Sequence, residues 1–291
     1  MTGFDCSPLP NPHDSAASSF DSKAVAEGRP IWDPLEWACG SVVGTEHRRL
    51  GRNNQDSYQV LKTEDFLIAL VCDGCGSSKH SEIGAKVGSR LLLQTIAMAL
   101  QWGELDWEWV QSEVLRQIAS LADLMGQNRG QMVQDYFLFT LVGCVITPSH
   151  SVLFALGDGV FILNHEVLTL EADNSPPYLG YGLLGLHYPI QVVRVIPTQA
   201  LHSLLIGTDG VNDLLSKADH PLPGRHDRVG FISQFWQEDR YFQNPQMLQR
   251  HLNLINRDVT VPDWAARQLI RHSGLLPDDT TLIVLRQKKP G

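Results

Sequence analysis

The chain has 291 residues, 43% of them hydrophobic and 19% charged, a composition typical of a globular protein with a sizeable core. Its formal net charge of −9 leaves no basic excess to replace phosphate counterions, which argues against a nucleic-acid partner. No apolar run approaches the roughly 20 residues that span a bilayer, and the first residues lack the basic patch and apolar stretch of a signal peptide. We therefore expect a cytoplasmic protein without membrane contact.

The first half of the chain predicts strands around a pair of helices. Residues 1–30 are rich in Ser, Pro, Asp and Ala without an apolar period, which predicts a flexible leader before a single domain over residues 31–291. Apolar residues at helical spacing predict helices over residues 81–100 and 107–125. Apolar runs bounded by turn residues predict strands over residues 37–44, 57–61, 66–72, 137–147, 151–156 and 160–163.

The second half begins with a stretch rich in Gly, Pro and Tyr, residues 173–185, which predicts a loop. The strands predicted after it cover residues 190–196, 203–207 and 281–286, and the helices cover residues 229–237, 245–256 and 262–272. Tight turns between successive strands indicate antiparallel sheets. Helices grouped between blocks of strands indicate layers of helix on sheet.

Aspartates recur at the ends of the predicted strands, and three of the five precede a glycine. They are Asp56, Asp73, Asp158, Asp209 and Asp278. A single Asp-Gly pair is ordinary turn chemistry. Several carboxylates brought together repel one another, and a divalent cation such as Mg²⁺ or Mn²⁺, which prefers oxygen ligands, relieves that repulsion. The spacing alone leaves two interpretations open, a metal site and a series of plain turns.

Five short blocks, in order over about residues 44–285, resemble the metal-dependent Ser/Thr protein phosphatases of type 2C. The blocks are Asn54-Gln55-Asp56, Val71-Cys72-Asp73-Gly74-Cys75-Gly76, Phe154-Ala155-Leu156-Gly157-Asp158, Ile206-Gly207-Thr208-Asp209-Gly210-Val211-Asn212-Asp213 and Asp278-Asp279-Thr280-Thr281. Each block is short, and their common order and spacing make the resemblance specific. It implies an α+β fold, a four-layer α/β/β/α sandwich of two antiparallel sheets flanked by helices.

The resemblance also implies an activity, the hydrolysis of phosphoserine and phosphothreonine in proteins by a water activated between two Mn²⁺ or Mg²⁺ ions. By position, Asp73 would bridge the two ions, with the carbonyl of Gly74 beside it. Asp209 and Asp278 would complete the ligands of one ion, and Asp56 would serve the other.

Two further aspartates, Asp158 and Asp213, match positions that hold a third, looser ion in some relatives. The stretch between Asp158 and Asp209 is compact, so we expect any flap beside the site to be small.

The expected phosphate-binding site departs from the family pattern, because Gly51 stands where relatives usually carry an arginine. The neighbouring basic residues that could replace it are Arg52, Arg49, Arg48 and His47. This departure leaves open a second hypothesis, a phosphatase-like domain of low activity that binds phosphoproteins as a regulatory module. A third hypothesis is a phosphatase of small molecules.

Two cysteines, Cys72 and Cys75, have the spacing of a redox or zinc motif. No second cysteine pair completes a zinc set, and Cys72 falls at the end of a predicted buried strand, where cysteine commonly acts as a small hydrophobe. Cys75 also stands where some eukaryotic relatives have a histidine proposed as a general acid.

Overall fold

The computed structural model describes residues 35–103, 105–171 and 176–288. The leader predicted over residues 1–30 lies outside the described residues and stays a prediction. None of the described helices is both long and apolar enough to cross a membrane.

Ten of the described strands form two five-stranded antiparallel sheets. In chain order the described strands are β1 (Leu35–Val42), β2 (Ser57–Lys62), β3 (Leu67–Cys72), β4 (Leu141–Ile146), β5 (His150–Leu156), β6 (Gly159–Leu163), β7 (Glu166–Leu170), β8 (Gln191–Pro197), β9 (Ser203–Gly207), β10 (Val259–Asp263), β11 (Gln268–His272) and β12 (Thr280–Gln287). The strand orders are β1-β12-β9-β6-β7 in one sheet and β2-β3-β4-β5-β8 in the other, while β10 and β11 form a separate hairpin.

The helices cover the outer faces of the two sheets. Those in the described residues are α1 (Thr45–Arg49), α2 (Ser81–Trp102), α3 (Trp107–Met125), α4 (Arg129–Tyr136), α5 (Gly210–Ser216), α6 (Gln234–Gln237), α7 (Arg240–Gln243) and α8 (Met247–Ile255), with short 3-10 helices at Leu179–Leu184 and Thr198–Ala200. Apolar residues of α2, α3 and α4 pack on the sheet that contains β3, and those of α5 to α8 pack on the sheet that contains β12.

Strand β3 shows why this sequence forms four layers. All six of its residues are buried, which explains the unbroken apolar run. Ile68 and Leu70 belong to the cluster that packs against the helices, whereas Ala69 and Val71 belong to the cluster between the sheets. Because successive side chains of a strand point to opposite faces, one strand serves both layers. The predicted α/β/β/α sandwich is confirmed.

Residues 262–272, predicted as a helix, are instead part of the β10–β11 hairpin, and that prediction was wrong. Oδ1 of Asp263 accepts hydrogen bonds from the backbone N–H groups of Ala265 and Ala266, both at 3.0 Å, which stabilises the turn. In so short a stretch the apolar residues fit the spacing of a helix and that of a strand about equally, so their periodicity could not distinguish a helix from a strand.

Other boundaries also differ. Helix α4 and strand β7 were not predicted, and the helix predicted over residues 229–237 is limited to α6. The strand predicted over residues 137–147 begins only at Leu141. Beyond the strand the β3–β4 register continues through an isolated bridge between Gly74 and Phe139, in which Thr140 N donates to Asp73 O at 2.8 Å and Cys75 N donates to Leu138 O at 2.9 Å. These bonds hold the loop after β3 in place.

Candidate metal centre

Asp56 and Asp73 lie side by side at the end of the β2–β3 pair. Asp56 directly precedes β2 and Asp73 directly follows β3, and the strand register pairs Ser57 with Cys72. Thr208, which follows β9 in the other sheet, donates its hydroxyl hydrogen to Oδ2 of Asp56 at 2.9 Å. This bond joins the two sheets at the candidate site.

Burial and mutual repulsion perturb both of these carboxyl groups. Burial is the main cause that raises the pKa of Asp56 to about 8, and repulsion from Asp279 adds to it. The pKa of Asp73 is raised well above its ordinary value, first by burial and then by repulsion from Asp56, Asp209 and Asp278. The two side chains are also within hydrogen-bonding reach of each other. The pair therefore holds a proton near neutral pH unless a cation compensates its charge.

Asp209, Asp278 and Asp158 lie close enough to repel one another, and Asp209 and Asp278 also repel Asp73. Burial is the main cause that raises the pKa of Asp209 to about 7, followed by repulsion from Asp278 and Asp158. Asp158 occupies the turn between β5 and β6, and burial followed by repulsion from Asp278 raises its pKa. Residues far apart in the chain thus share one electrostatic environment.

Asp213 lies one helical turn beyond Asp209, on α5. Burial raises its pKa, the ammonium of Lys217 opposes that rise, and Glu46 adds to it. Asp213 in turn adds to the repulsion on Asp209. The two positions expected for a third ion, Asp158 and Asp213, therefore both lie near Asp209.

A buried aspartate that the predicted ligand set omitted, Asp279, holds the loop around the site. Its Oδ1 accepts a hydrogen bond from Gly44 N and its Oδ2 accepts one from Gln55 N, both at 2.6 Å, while Nδ1 of His47 lies 3.0 Å from Oδ2. In the described part of the chain, His47, Asp278 and Asp279 form a group whose ligand atoms all lie within 4.8 Å of one another. Among the same described residues, the ligand atoms of the four predicted ligands, Asp56, Asp73, Asp209 and Asp278, do not form a group within that distance. Because Asp279 already accepts backbone hydrogens through both oxygens, it acts as a scaffold, and only Asp278 is shared with the predicted set.

The four basic residues expected to bind phosphate differ from one another in their contacts. His47 contacts Asp279 through Nδ1, and Arg48 bonds to the chain that follows α8. Arg49 is exposed and has no ion-pair partner among the described residues. Arg52 donates from Nη1 to the carbonyl of Gly76 at 2.6 Å, in the loop that follows β3. Arg52 is therefore the candidate that the structure brings to this loop, and its phosphate contact stays a prediction.

Tyr178 is a site residue that the sequence interpretation missed. Burial raises the pKa of its hydroxyl above the ordinary range, and contact with Cys75 and repulsion from Asp73 and Asp158 add to the rise. Burial opposes ionisation of Cys75, and hydrogen bonds from Ser77 and Tyr178 outweigh it, so the pKa of this thiol is lowered. Tyr178 lies in the stretch predicted as a loop, and nothing in its local sequence points to the site. Its hydroxyl places a hydrogen-bond donor beside the carboxylates.

The chain matches the family model described as Protein phosphatase 2C over residues 43–252, well over half of its length. The chain therefore belongs to the protein phosphatase 2C family.

Several solved structures are similar to this chain. A bacterial serine phosphatase superimposes with a TM-score of 0.51 at 14% identity, covering 88% of this chain and 99% of that one. The phosphatase Stp1 from Staphylococcus aureus gives 0.49 at 13% identity, covering 88% and 96%. The catalytic domain of the phosphatase PstP, solved in complex with two manganese ions, gives 0.49 at 17% identity, covering 88% and 99%. No curated protein sequence matches the chain.

Proposed function

We propose that this chain hydrolyses phosphoserine and phosphothreonine in protein substrates, with Mn²⁺ or Mg²⁺ held by Asp56, Asp73, Asp209 and Asp278. The observation that carries the proposal is the contact between Asp56 and Asp73, two carboxyls of raised pKa at the junction of the sheets. Burying carboxylates together costs free energy that a structural role does not explain, and a divalent cation offsets that cost.

The donor set fits such a cation. Oδ1 of Asp56 and Oδ1 of Asp209 are buried and have no hydrogen-bond partner among the described residues, so each has an oxygen available as a ligand. All the candidate ligands are oxygens, which suits Mg²⁺ and Mn²⁺. Gly74 packs so closely on α2 that an added Cβ would lie 2.9 Å from Ser81. The backbone at Gly74 is therefore firmly placed beside Asp73, as a carbonyl ligand requires.

The protein's own groups supply orientation. Thr208 fixes the carboxylate of Asp56 through its hydroxyl, and Asp279 fixes the backbone that leads into Asp56. Arg52 lies where a phosphate near the loop after β3 could accept its hydrogens, and the hydroxyl of Tyr178 could turn its hydrogen from Cys75 to the same phosphate. When bound, divalent ions would polarise a phosphoryl oxygen and make hydroxide available near neutral pH. Asp158 and Asp213 are the proposed ligands of a third ion.

Hydrolysis of an aryl phosphate by the purified protein tests the proposal. Activity should require millimolar Mn²⁺ or Mg²⁺ and disappear with EDTA. Asp73→Asn and Asp209→Asn should each lower kcat at least a hundredfold, because each removes a negatively charged ligand. Asp65→Asn, a change at an exposed residue outside the site, is the matched control. Unchanged rates in the two site variants would contradict the proposal.

A second candidate function is a phosphoprotein-binding module of low activity. It is favoured by the exposed Gly51, where an arginine was expected, and by the engagement of His47 with Asp279. Calorimetry separates the two functions. Binding of Mn²⁺ together with turnover of phosphopeptides supports the enzyme, whereas phosphopeptide binding without metal binding supports the module.

A further inference from the structure

A ring of hydrogen bonds begins at the backbone of Asp56 and ends at its own side chain. The backbone N–H of Asp56 donates to Oδ1 of Asn54 at 2.9 Å. Nδ2 of Asn54 donates to Oγ of Ser41 at 2.7 Å, and this Oγ lies 2.6 Å from Oγ1 of Thr281. The Thr281 hydroxyl is in turn within hydrogen-bonding reach of the Asp56 carboxylate. Three other residues therefore link the two ends of Asp56.

The ring forms where the two sheets meet. Ser41 of β1 and Thr281 of β12 are direct partners in the strand register, so their hydroxyls stand side by side. Asn54 and Asp56 lie in the segment that leads into β2, in the other sheet. The ring therefore crosses from one sheet to the other.

The direction of the hydrogen bonds follows from the chemistry of the ring members. An ionised carboxylate can only accept hydrogens, so the hydrogen of the Thr281 hydroxyl points to Asp56 when Asp56 is charged. Oγ1 of Thr281 then accepts the hydrogen of Ser41, whose own oxygen already accepts from Asn54. Each member thus donates toward the carboxylate, and hydrogen bonds aligned in one direction strengthen one another.

Thr208 supplies a second hydroxyl to the same carboxylate. Its oxygen accepts the backbone hydrogen of Thr281 at 3.1 Å, and its own hydrogen goes to Oδ2 of Asp56 at 2.9 Å. Oδ1 of Asp56 is buried and has no hydrogen-bond partner among the described residues. One oxygen of Asp56 is therefore held by the protein, and the other is left for a ligand.

Helix α8 anchors the far side of the ring. Ser41 N donates to Oε1 of Gln249 at 3.0 Å, and Nε2 of Gln249 donates to Ser41 O at 2.6 Å. The neighbouring Gly40 packs so closely on the same helix that an added Cβ would lie 2.8 Å from the Leu252 side chain. The place of the Ser41 hydroxyl is therefore fixed from outside the ring.

Packing alone does not explain the hydroxyl of Thr281. The residue is fully buried, and the strand continues with the apolar run Leu282-Ile283-Val284-Leu285. Valine has nearly the shape of threonine and would fill the same space. A buried hydroxyl costs free energy unless it is hydrogen-bonded, and here its hydrogen bond stabilises the charged form of Asp56.

We propose that Ser41, Asn54 and Thr281 are positioning residues for a metal ligand, and that their ring holds Asp56 so that its Oδ1 is available to a divalent cation. The three residues act through Asp56 and not by contact with the ion. This role rests on the proposed function, because that function makes Asp56 a ligand.

Isothermal titration calorimetry of the metal-free protein with MnCl₂ tests the positioning role without catalysis. Thr281→Val removes the hydroxyl and keeps the shape, Thr281→Ser keeps the hydroxyl, and Ser41→Ala opens the ring at another member. Thr198→Val is the matched control. The Thr198 hydroxyl is also buried and hydrogen-bonded, to Ser151 and to Thr147 O, at the end of β5 away from the site. Circular dichroism checks that each variant is folded.

The wild-type protein should bind Mn²⁺, and Thr281→Val should raise the Kd at least tenfold, as expected when a partner of a metal ligand is lost. Thr281→Ser and Thr198→Val should stay within about threefold of wild type, because both keep the ring. Ser41→Ala should raise the Kd by roughly threefold to tenfold, since it removes the donor to Thr281. Added to Thr281→Val, it should change the Kd by less than about twofold, because both changes open the same chain.

Three outcomes overturn the positioning role. One is a wild-type Kd in Thr281→Val, and another is an equal loss of affinity in Thr281→Ser. The third is full additivity of Ser41→Ala and Thr281→Val. If Thr281→Val does not fold, Ser41→Ala decides: a Kd raised threefold or more supports the role, and a smaller change overturns it.

Aryl phosphate hydrolysis by the same samples separates this role from the proposed function. If Mn²⁺ affinity falls as expected but the wild-type protein hydrolyses no phosphate, the positioning role stands and the enzyme function fails. If the wild-type protein is an active enzyme and every variant binds Mn²⁺ with the wild-type Kd, the enzyme function stands and the positioning role fails. A wild-type protein that binds no Mn²⁺ overturns both.

Discussion

Replacing Asp56 with asparagine separates the two roles of this carboxylate, a destabilising buried charge and a metal ligand. The residue is only 3% exposed, and its pKa is raised to about 8 by burial and by repulsion from Asp279. Asparagine has nearly the same shape, and its amide oxygen can still accept the hydrogen of Thr208. The charge is lost and the packing is kept.

The direction of the pH dependence follows from the raised pKa. In the unfolded chain the carboxyl group titrates near its ordinary pKa of 3.8, so between about pH 4 and pH 8 the folded, metal-free protein binds more protons than the unfolded one. The contribution of Asp56 to stability is therefore fully present below about pH 4 and is lost as the pH rises through 8. A difference of four pH units corresponds to an upper limit of roughly 5 kcal/mol.

We expect Asp56→Asn to be more stable than wild type by about 2 to 5 kcal/mol at pH 8 in EDTA, a rise in Tm of roughly 5 to 15 °C. At pH 4.5 the difference should nearly vanish. In millimolar Mn²⁺ at pH 8 the order should reverse, because binding to the native state stabilises the wild type and the variant has lost a ligand.

Thermal unfolding followed by circular dichroism, at both pH values and with EDTA or Mn²⁺, measures these differences. Asp65→Asn should have the Tm of the wild type at both pH values and with either addition, since this aspartate is exposed and lies outside the site. The reasoning is refuted if Asp56→Asn is no more stable than wild type at pH 8 in EDTA.

Three further variants test the scaffold and the missed site residue. Asp279→Ala should lower the free energy of unfolding by about 3 to 5 kcal/mol in urea denaturation, since two backbone donors lose their acceptor and His47 loses its contact with the carboxylate; a loss below 1 kcal/mol would deny its scaffold role. Gly84→Ala should cost about 3 kcal/mol in the same assay, because a Cβ would overlap the carbonyl oxygen of Tyr136, and wild-type stability would contradict that close packing. Tyr178→Phe should lower kcat for an aryl phosphate by roughly fivefold, as expected for one lost hydrogen bond, with Mn²⁺ affinity by calorimetry unchanged; an unchanged kcat would exclude its hydroxyl from the reaction.

Much of the fold could be predicted from local pattern. The run over residues 66–72 is apolar because both faces of β3 are buried, and such a run is visible in the sequence without knowledge of its neighbours. The β10–β11 hairpin could not be predicted in the same way, since its strands lie apart from both main sheets and are largely exposed. Without a buried face the alternation of apolar and polar residues is weak, so the spacing of the same residues is also compatible with a helix.

The candidate site, like the fold, could be predicted only in part. The aspartates could be found because each lies at a strand end, a position that the sequence marks with turn residues. Asp279 could not be assigned its role, because its backbone partners Gly44 and Gln55 lie 235 and 224 positions away in the chain. Tyr178 was missed for the same reason, since its contact with Cys75 links a loop to a distant strand end.

The sequence by itself determined which residues could form strands, where those strands end, and that carboxylates occupy the ends. These properties depend on each residue's own chemistry and its immediate neighbours. The tertiary structure alone decided that Asp56 and Asp73 touch and that Thr208 ties one of them to the opposite sheet. Electrostatic repulsion and hydrogen bonding act over a few ångströms of space, and folding determines which distant residues come that close.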